Sequence, residues 1–318
     1  AVAAASKLFA APPRGGHEHP DWRALPLSQV DTDDPAAGYL ATITASDPQQ
    51  MIAQLAAAPE RTVEIELRHA AALIALADWP AADAALDQIE ATDRWEWRAR
   101  WYRGLADLAR ERPAEAAASF TSVYHSLPGE LAPRLALGMA CESAANSAEA
   151  AGWYDIVSRT DPGFTAASFG LARCRLREGD RAGALAAYDR VPDSSSAYLA
   201  AQTARIQCLA AANGDGPSRA DELLVAGGIL ESLPLRGEPR ARLQAELLEA
   251  ALAVVNGAHP PRAFDDGRAS LLGHRFLERD LRFGLERSYR ELARWAPSSS
   301  ERILLVDHAN QVRPRTWT

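Results

Sequence analysis

The chain has 318 residues, 47% of them hydrophobic, and a formal net charge of -8, enough for one or two domains with sizeable buried cores. The acidic balance argues against nucleic acid as the main ligand, because phosphate binding draws its free energy from a basic surface. No window approaches the ~18 consecutive apolar residues of a membrane-spanning helix. Cys141, Cys174 and Cys208 form an odd set without a CxxC, which suits buried thiols in a reducing, cytoplasmic setting better than a disulfide or metal framework. No cofactor and no metal ion is expected.

Ala1 to Ala11 is rich in alanine, but it has no Met and no basic leader, and Lys7 interrupts it, so it is not expected to be a signal peptide. Residues 1–60 carry Pro12, Pro13, Pro20, Pro26, Pro35, Pro48 and Pro59 and read as an extended connector pinned to the rest at intervals. Short helices are predicted at Asp34–Thr44 and Pro48–Ala57. The HxH of His17, Glu18 and His19 is too isolated for a metal site.

From residue 61 the chain repeats itself every 34 residues. Ala70, Gly104, Gly138 and Ala172 fall in one register, Ala82, Ala116, Ala150 and Ala184 in a second, and Leu86, Phe120, Tyr154 and Tyr188 in a third. Ile89, Val123, Val157 and Val191 follow in a fourth, and Pro128 and Pro162 close their units where Ser196 stands next. A small residue in a first helix, then Ala, a large apolar residue, a small apolar residue and a closing Pro make the tetratricopeptide signature. The small residues let the two helices of a pair approach closely, and the large residue fills the space between pairs. Short turns at Ala77–Pro80, Arg110–Pro113, Ala144–Ser147 and Glu178–Arg181 supply each stop and the next start. Four repeats are predicted over residues 61–196.

Residues 197–318 lose the period but keep helical spacing, as in "SAYLAAQTARIQCLAA", "SRADELLVAGGILESL" and "EPRARLQAELLEAALAVV". They read as degenerate pairs, followed by a long helix ending near Trp295 and a last helix opened by serines and limited by Pro314. Asp265 and Asp266, beside His259, are expected to cap the long helix. Arginines and acids interleave along the same stretch, which predicts a salt-bridged, solvated face. The fold class is therefore all-α: a right-handed tetratricopeptide solenoid with degenerate C-terminal pairs and an extended N-terminal connector.

Such a solenoid lines a concave groove with its first helices. Counting from the small-residue position, the groove set is Arg98, Trp101, Leu105 and Leu108, then Leu135, Met139 and Glu142, then Phe169, Arg173 and Arg177. The set is apolar with scattered arginines, which fits an apolar peptide or a segment of the same chain. Packing of Trp101 and Phe169 under residues 1–60 is the competing reading. Among Trp95, Trp97 and Trp101, at least one is expected in the core and the others could present an exposed aromatic surface.

"WEWRARWYRG", "FTSVYHSLPGELAPRLALGMACE", "AASFGLARCRLREGDRAGALAAYDRVP" and "LRFGLERSYRELARWAPSSSERILLVDHANQVRP" together resemble the C-terminal region of actinobacterial serine/threonine protein kinases of the PknG type, from about Leu25 to Pro314. The Trp95/Trp97/Trp101 spacing and the last helix lie outside the tetratricopeptide code. The resemblance implies a region that follows a rubredoxin-type module and a kinase domain, with "LPLSQVDTDDPAAGYLATI" just after the kinase. It implies self-association as a homodimer and a role in glutamate and 2-oxoglutarate metabolism. The implied partners are the kinase domain itself, a forkhead-associated-domain regulator and other kinase substrates. No Gly-rich phosphate loop, HRD or DFG is found in the chain, so no catalytic residue carries over. A kinase tail, a stand-alone scaffold and an unrecognised hydrolase remain as readings, the last without any supporting spacing.

Overall fold

A computed structural model describes residues 8, 19–212, 219–257 and 269–314. The chain divides into two compact units, Ala1–Ala197 and Tyr198–Thr318. Among the described residues there are fifteen α-helices and one two-stranded ribbon, and no helix is long and apolar enough to cross a membrane.

In the first unit the connector forms a 3-10 turn at Trp22–Ala24, a short α1 at Ala37–Leu40 and α2 at Pro48–Ala56. Pro48 starts α2 because its fixed φ suits the first turn, and the Asp47 carboxylate accepts from the Gln50 amide. Ala36, Leu55 and Ile65 form a small core, with Tyr39, Leu40, Ile43 and Met51 packed around it. The connector is thereby fastened to the array at its start.

Four helix pairs follow: α3 Val63–Ala75 with α4 Trp79–Thr92, α5 Trp97–Ala109 with α6 Pro113–Ser126, α7 Leu131–Ser143 with α8 Ser147–Thr160, and α9 Thr165–Arg177 with α10 Arg181–Tyr188. The turn within each pair is the same device. Ala77, Glu111, Ala145 and Gly179 all adopt positive φ, at 58°, 58°, 60° and 78°. At each, two amides return to the last carbonyls of the first helix, as in Ala145 N to Glu142 O at 3.0 Å and Asn146 N to Cys141 O at 2.9 Å. That left-handed closure satisfies carbonyls that a helix end leaves unpaired. Asp78, Asn146 and Asp180 then cap the second helices through their side chains, whereas Arg112 makes no such bond and Pro113 begins α6.

The small-residue register sits where helices meet. A Cβ on Gly104 would run into the Phe120 ring, and one on Gly138 would come within 2.8 Å of Tyr154. Phe120 and Tyr154 are fully buried. Of the closely spaced Trp95, Trp97 and Trp101, Trp101 is in the core and Trp95 is 78% exposed. Cys141, Cys174 and Cys208 are free and buried; burial pushes the Cys141 and Cys174 thiols up to about 11, which makes them poor nucleophiles.

The second unit contains α11 Tyr198–Ala210, α12 Ala220–Ser232, α13 Gly237–Val255, α14 Glu278–Trp295 and α15 Ser299–Val312. Between α13 and α14 lies an antiparallel ribbon, Ser270–Leu271 against His274–Arg275, which the helical spacing did not predict. Leu272 and Gly273 both take positive φ, 53° and 78°, as a two-residue hairpin turn requires. The ribbon also corrects the expected cap of the long helix. The helix begins at Glu278 with Leu277 before it, and Glu278 and Asp280 supply its first-turn acids. Asp265, Asp266 and His259 lie outside the described residues, as do His17 and Glu18 of the HxH, and the described residues contain no metal-binding cluster. Arg282–Glu278 at 2.8 Å, Arg290–Glu286 at 3.1 Å and Arg294–Glu291 at 3.1 Å form the expected paired, solvated face.

Candidate binding groove

The first helices α3, α5, α7 and α9 present the positions that a tetratricopeptide array offers to a ligand. Here those positions are interior. Trp101, Leu105, Leu135, Met139 and Phe169 are each no more than 2% exposed, and Glu142 and Arg173 are buried as well. Trp101 sets its ring 5.3 Å from Phe120, and Phe169 meets Tyr188 edge-on at 5.8 Å. The expectation of an open groove lined by this set is therefore corrected. Large apolar side chains on inner positions gain most by leaving water, and of the ten positions only Arg98, Leu108 and Arg177 are not buried.

Part of what covers the groove is the chain's own connector. The turn Trp22–Ala24 packs against α5, and Ala24, Leu25 and Ser28 are buried. The Ser28 hydroxyl lies 3.1 Å from the Tyr102 hydroxyl, in a buried bond between α5 and the connector. Arg68 on α3 donates from Nη2 to the Ser28 carbonyl at 3.2 Å. Between connector and helices remains a cavity of about 500 Å³, walled by Trp22, Leu27, Met51, Arg68 and Ala72 and reaching Leu105. At this end of the array the connector lies against α3 and α5, while Trp101 packs beside Phe120 and Phe169 beside Tyr188.

Two ion-pair clusters hold the inner face. On α7, the Glu142 carboxylate accepts from Arg173 Nε at 2.8 Å and Nη2 at 2.7 Å, and from the Tyr154 hydroxyl at 2.8 Å. Arg177 adds a contact at 2.9 Å. Burial alone would push the Glu142 carboxyl up, but Arg173, Tyr154 and Arg177 outweigh it and hold the group below its usual range. Burial and the Glu142 charge push the Tyr154 hydroxyl well up. Each lone pair of a buried carboxylate needs such a partner, since an unpaired buried charge is strongly destabilising. On α5, Arg98 pairs with Glu64 and with Glu96, the latter at 2.7 Å. Burial raises the Glu96 carboxyl, and Arg98 more than reverses that.

Sequence reasoning found Arg98, Glu142, Arg173 and Arg177 but not their roles, and it missed Glu64, Tyr102, Arg68 and Ser28. Glu64 had a legible signal, since it occupies the Arg98 position one 34-residue repeat earlier, so opposite charges face each other across successive first helices. Ser28 and Tyr102 are 74 residues apart and share no register.

Helix pairs in register, an inner face filled by packing and ion pairs, and a connector seated on α3 and α5 define a tetratricopeptide-type helical array. The family model described as "Protein kinase G tetratricopeptide repeat" matches residues 22–316, and the chain belongs to that family. It is 35% identical over 303 residues to the serine/threonine-protein kinase PknG of Mycobacterium leprae, covering 92% of this chain and 39% of the relative. The PknG of Mycolicibacterium smegmatis is 34% identical over 307 residues with the same coverage. The chain thus spans well under half the length of these relatives. A TPR repeats protein from Bacteroides fragilis overlaps 84% of this chain and 99% of its own at 13% identity and a TM-score of 0.30, too loose a likeness to add to the argument.

Proposed function

We propose that the chain is the anchoring and regulatory module of a cytoplasmic PknG-type serine/threonine kinase, and that its groove engages the connector in cis. The observation that supports this reading is the pair of contacts made by Ser28, to Tyr102 and to Arg68. On this reading that segment follows a kinase domain directly, as the resemblance implies. A connector seated on α3 and α5 fixes where the solenoid stands relative to the catalytic part, and a fixed spacing presents a bound substrate at high effective concentration. Partners on this reading are the kinase domain, a forkhead-associated-domain regulator and other kinase substrates, with glutamate and 2-oxoglutarate metabolism as the process controlled. Of the predicted groove residues, Leu105 reaches the cavity under the connector, while Leu135, Met139, Glu142, Phe169 and Arg173 act from within as the buried support of the inner face. Self-association as a homodimer belongs to the same proposal.

The test uses the chain joined to its kinase domain. Tyr102→Phe with Arg68→Ala should open the connector to limited proteolysis and slow phosphorylation of a protein substrate, leaving turnover of a short peptide unchanged. Unchanged proteolysis and unchanged protein phosphorylation would refute cis anchoring. A strict monomer in sedimentation velocity at high concentration would remove the homodimer.

A further inference from the structure

The second unit carries a groove that the repeat code does not account for. It runs between α13, α14 and α15 and encloses about 510 Å³. Its floor is apolar, from Ala245, Tyr289, Leu292, Trp295, Pro297 and Leu305. Trp295 is 54% exposed, although a large aromatic at the end of a helix ordinarily finds cover.

The charge around this floor is predominantly negative. Glu238, Glu246, Glu249 and Glu301 line the groove against Arg242, and Arg242 is taken by Glu238 within its own helix. Glu249 is held in place by the Tyr289 hydroxyl, and Glu246 accepts a 3.3 Å bond from the Gln207 amide. No arginine among the described residues pairs with Glu246, Glu249 or Glu301. On α15, Ile303 and Leu304 are 60% and 61% exposed, and Ala309 is the helix's buried residue. Terminal helices of repeat arrays ordinarily turn a polar face outward. Residues 301, 304 and 305 share a face of the helix, so Leu304 extends the apolar floor beyond Leu305.

We infer that this groove docks a basic amphipathic helix of a partner protein, its apolar side chains over Trp295 and Leu305 and its lysines or arginines against the three unneutralised glutamates. An apolar floor alone would accept many occupants. The acidic rim selects a cationic one and disfavours a second copy of this chain, whose net charge is -8. Placement of apolar anchors at helical spacing beside an aromatic side chain is the usual helix-in-groove arrangement.

The probe is a synthetic lysine–leucine peptide with helical amphipathic spacing, compared with a scrambled peptide of the same composition, binding to the full chain by calorimetry. The helical peptide should bind at least ~10-fold more tightly than the scrambled one, with Trp295→Ala removing ~10-fold or more and Glu246→Gln/Glu301→Gln ~3-fold. Affinity should fall as salt rises. Equal binding of the two peptides, or no effect of either variant, would reduce the groove to general acidity and overturn the proposal. Loss of self-association in Trp295→Ala without any change in peptide affinity would assign the face to a second copy and overturn it equally. Trp295 also lies against Gly237, so Trp295→Phe and the doubly neutralised glutamate variant carry the test if Trp295→Ala melts early.

Discussion

The two units treat charge in opposite ways. In the first, Glu142 meets Arg173 and Tyr154 beneath the surface, and Glu64 meets Arg98 across neighbouring first helices. In the second, Arg282–Glu278 and Arg290–Glu286 run along one solvated helix at i,i+4 spacing. Exposed pairs of that kind contribute little, because water screens them and two long side chains must be held still. A buried pair adds little net stability over an apolar pair, yet it penalises any register in which one partner is left alone. The contrast teaches that an array of near-identical helix pairs, which could slip by a repeat, carries its specificity inside. The second unit has no period to slip along, and there specific contacts do that task, such as Leu271 of the ribbon filling the space over Gly227.

The largest expected effect strikes the inner network. Glu142→Leu strands Arg173 and should destabilise the first unit by about 3–5 kcal/mol, whereas Glu142→Leu/Arg173→Leu should recover most of that loss. Urea unfolding of the three proteins decides it: a double variant as weak as the single one would mean that the charges do not act as a pair. Gly138→Val comes next, at about 1–3 kcal/mol, because the added side chain meets the Tyr154 ring. A thermal midpoint unchanged from the parent would show that α7 and α8 can move apart freely.

Acid should separate the units. Burial, helped by the Arg287 charge, lowers the His274 pKa in the second unit. A histidine held neutral in the fold but free to protonate when unfolded leaves stability intact above its ordinary range and erodes it as pH falls through that range. The lowered Glu142 carboxyl has the same sign at lower pH, its contribution present above the usual glutamate range and lost below it. The second unit should therefore weaken first on acidification, and His274→Gln should flatten that limb in a pH series of melts. The smallest effect is a gain. Ala145 holds φ at 60°, and Ala145→Gly should stabilise the first unit by about 0.5–1 kcal/mol, since glycine enters that region without a Cβ clash. A lower midpoint would show that loss of chain stiffness outweighs relief of the turn.

Much of the first unit was legible because its physics is local. A small residue at Gly104 or Gly138 and a large one at Phe120 or Tyr154 imply one another through a contact repeated at constant spacing. Turn signals were legible only in part. Gly179 advertises a left-handed closure, but Ala77, Glu111 and Ala145 adopt it without any residue preference for it, because the helices on either side leave the chain no other path. The inner arginines and Glu142 were found by counting positions, yet the same count took them for open surface. Exposure depends on what lies over a side chain, and the count holds only what lies beside it.

Sequence by itself determined the helix pairs, their 34-residue step and the close-packing glycines, all consequences of spacing within a short stretch, while the likeness to a kinase-associated repeat family lay in the wording of particular stretches outside that spacing. Tertiary structure decided that the connector enters the groove through Ser28, that Glu142 and Arg173 face inward, and that a ribbon separates α13 from α14. It also decided that Trp295 stands exposed above an acidic rim. Each of these depends on a meeting of residues far apart in the chain or on the cover a side chain receives. Periodicity carries no record of such meetings, because their free energy is set by which surfaces exclude water together and not by the order in which residues follow one another.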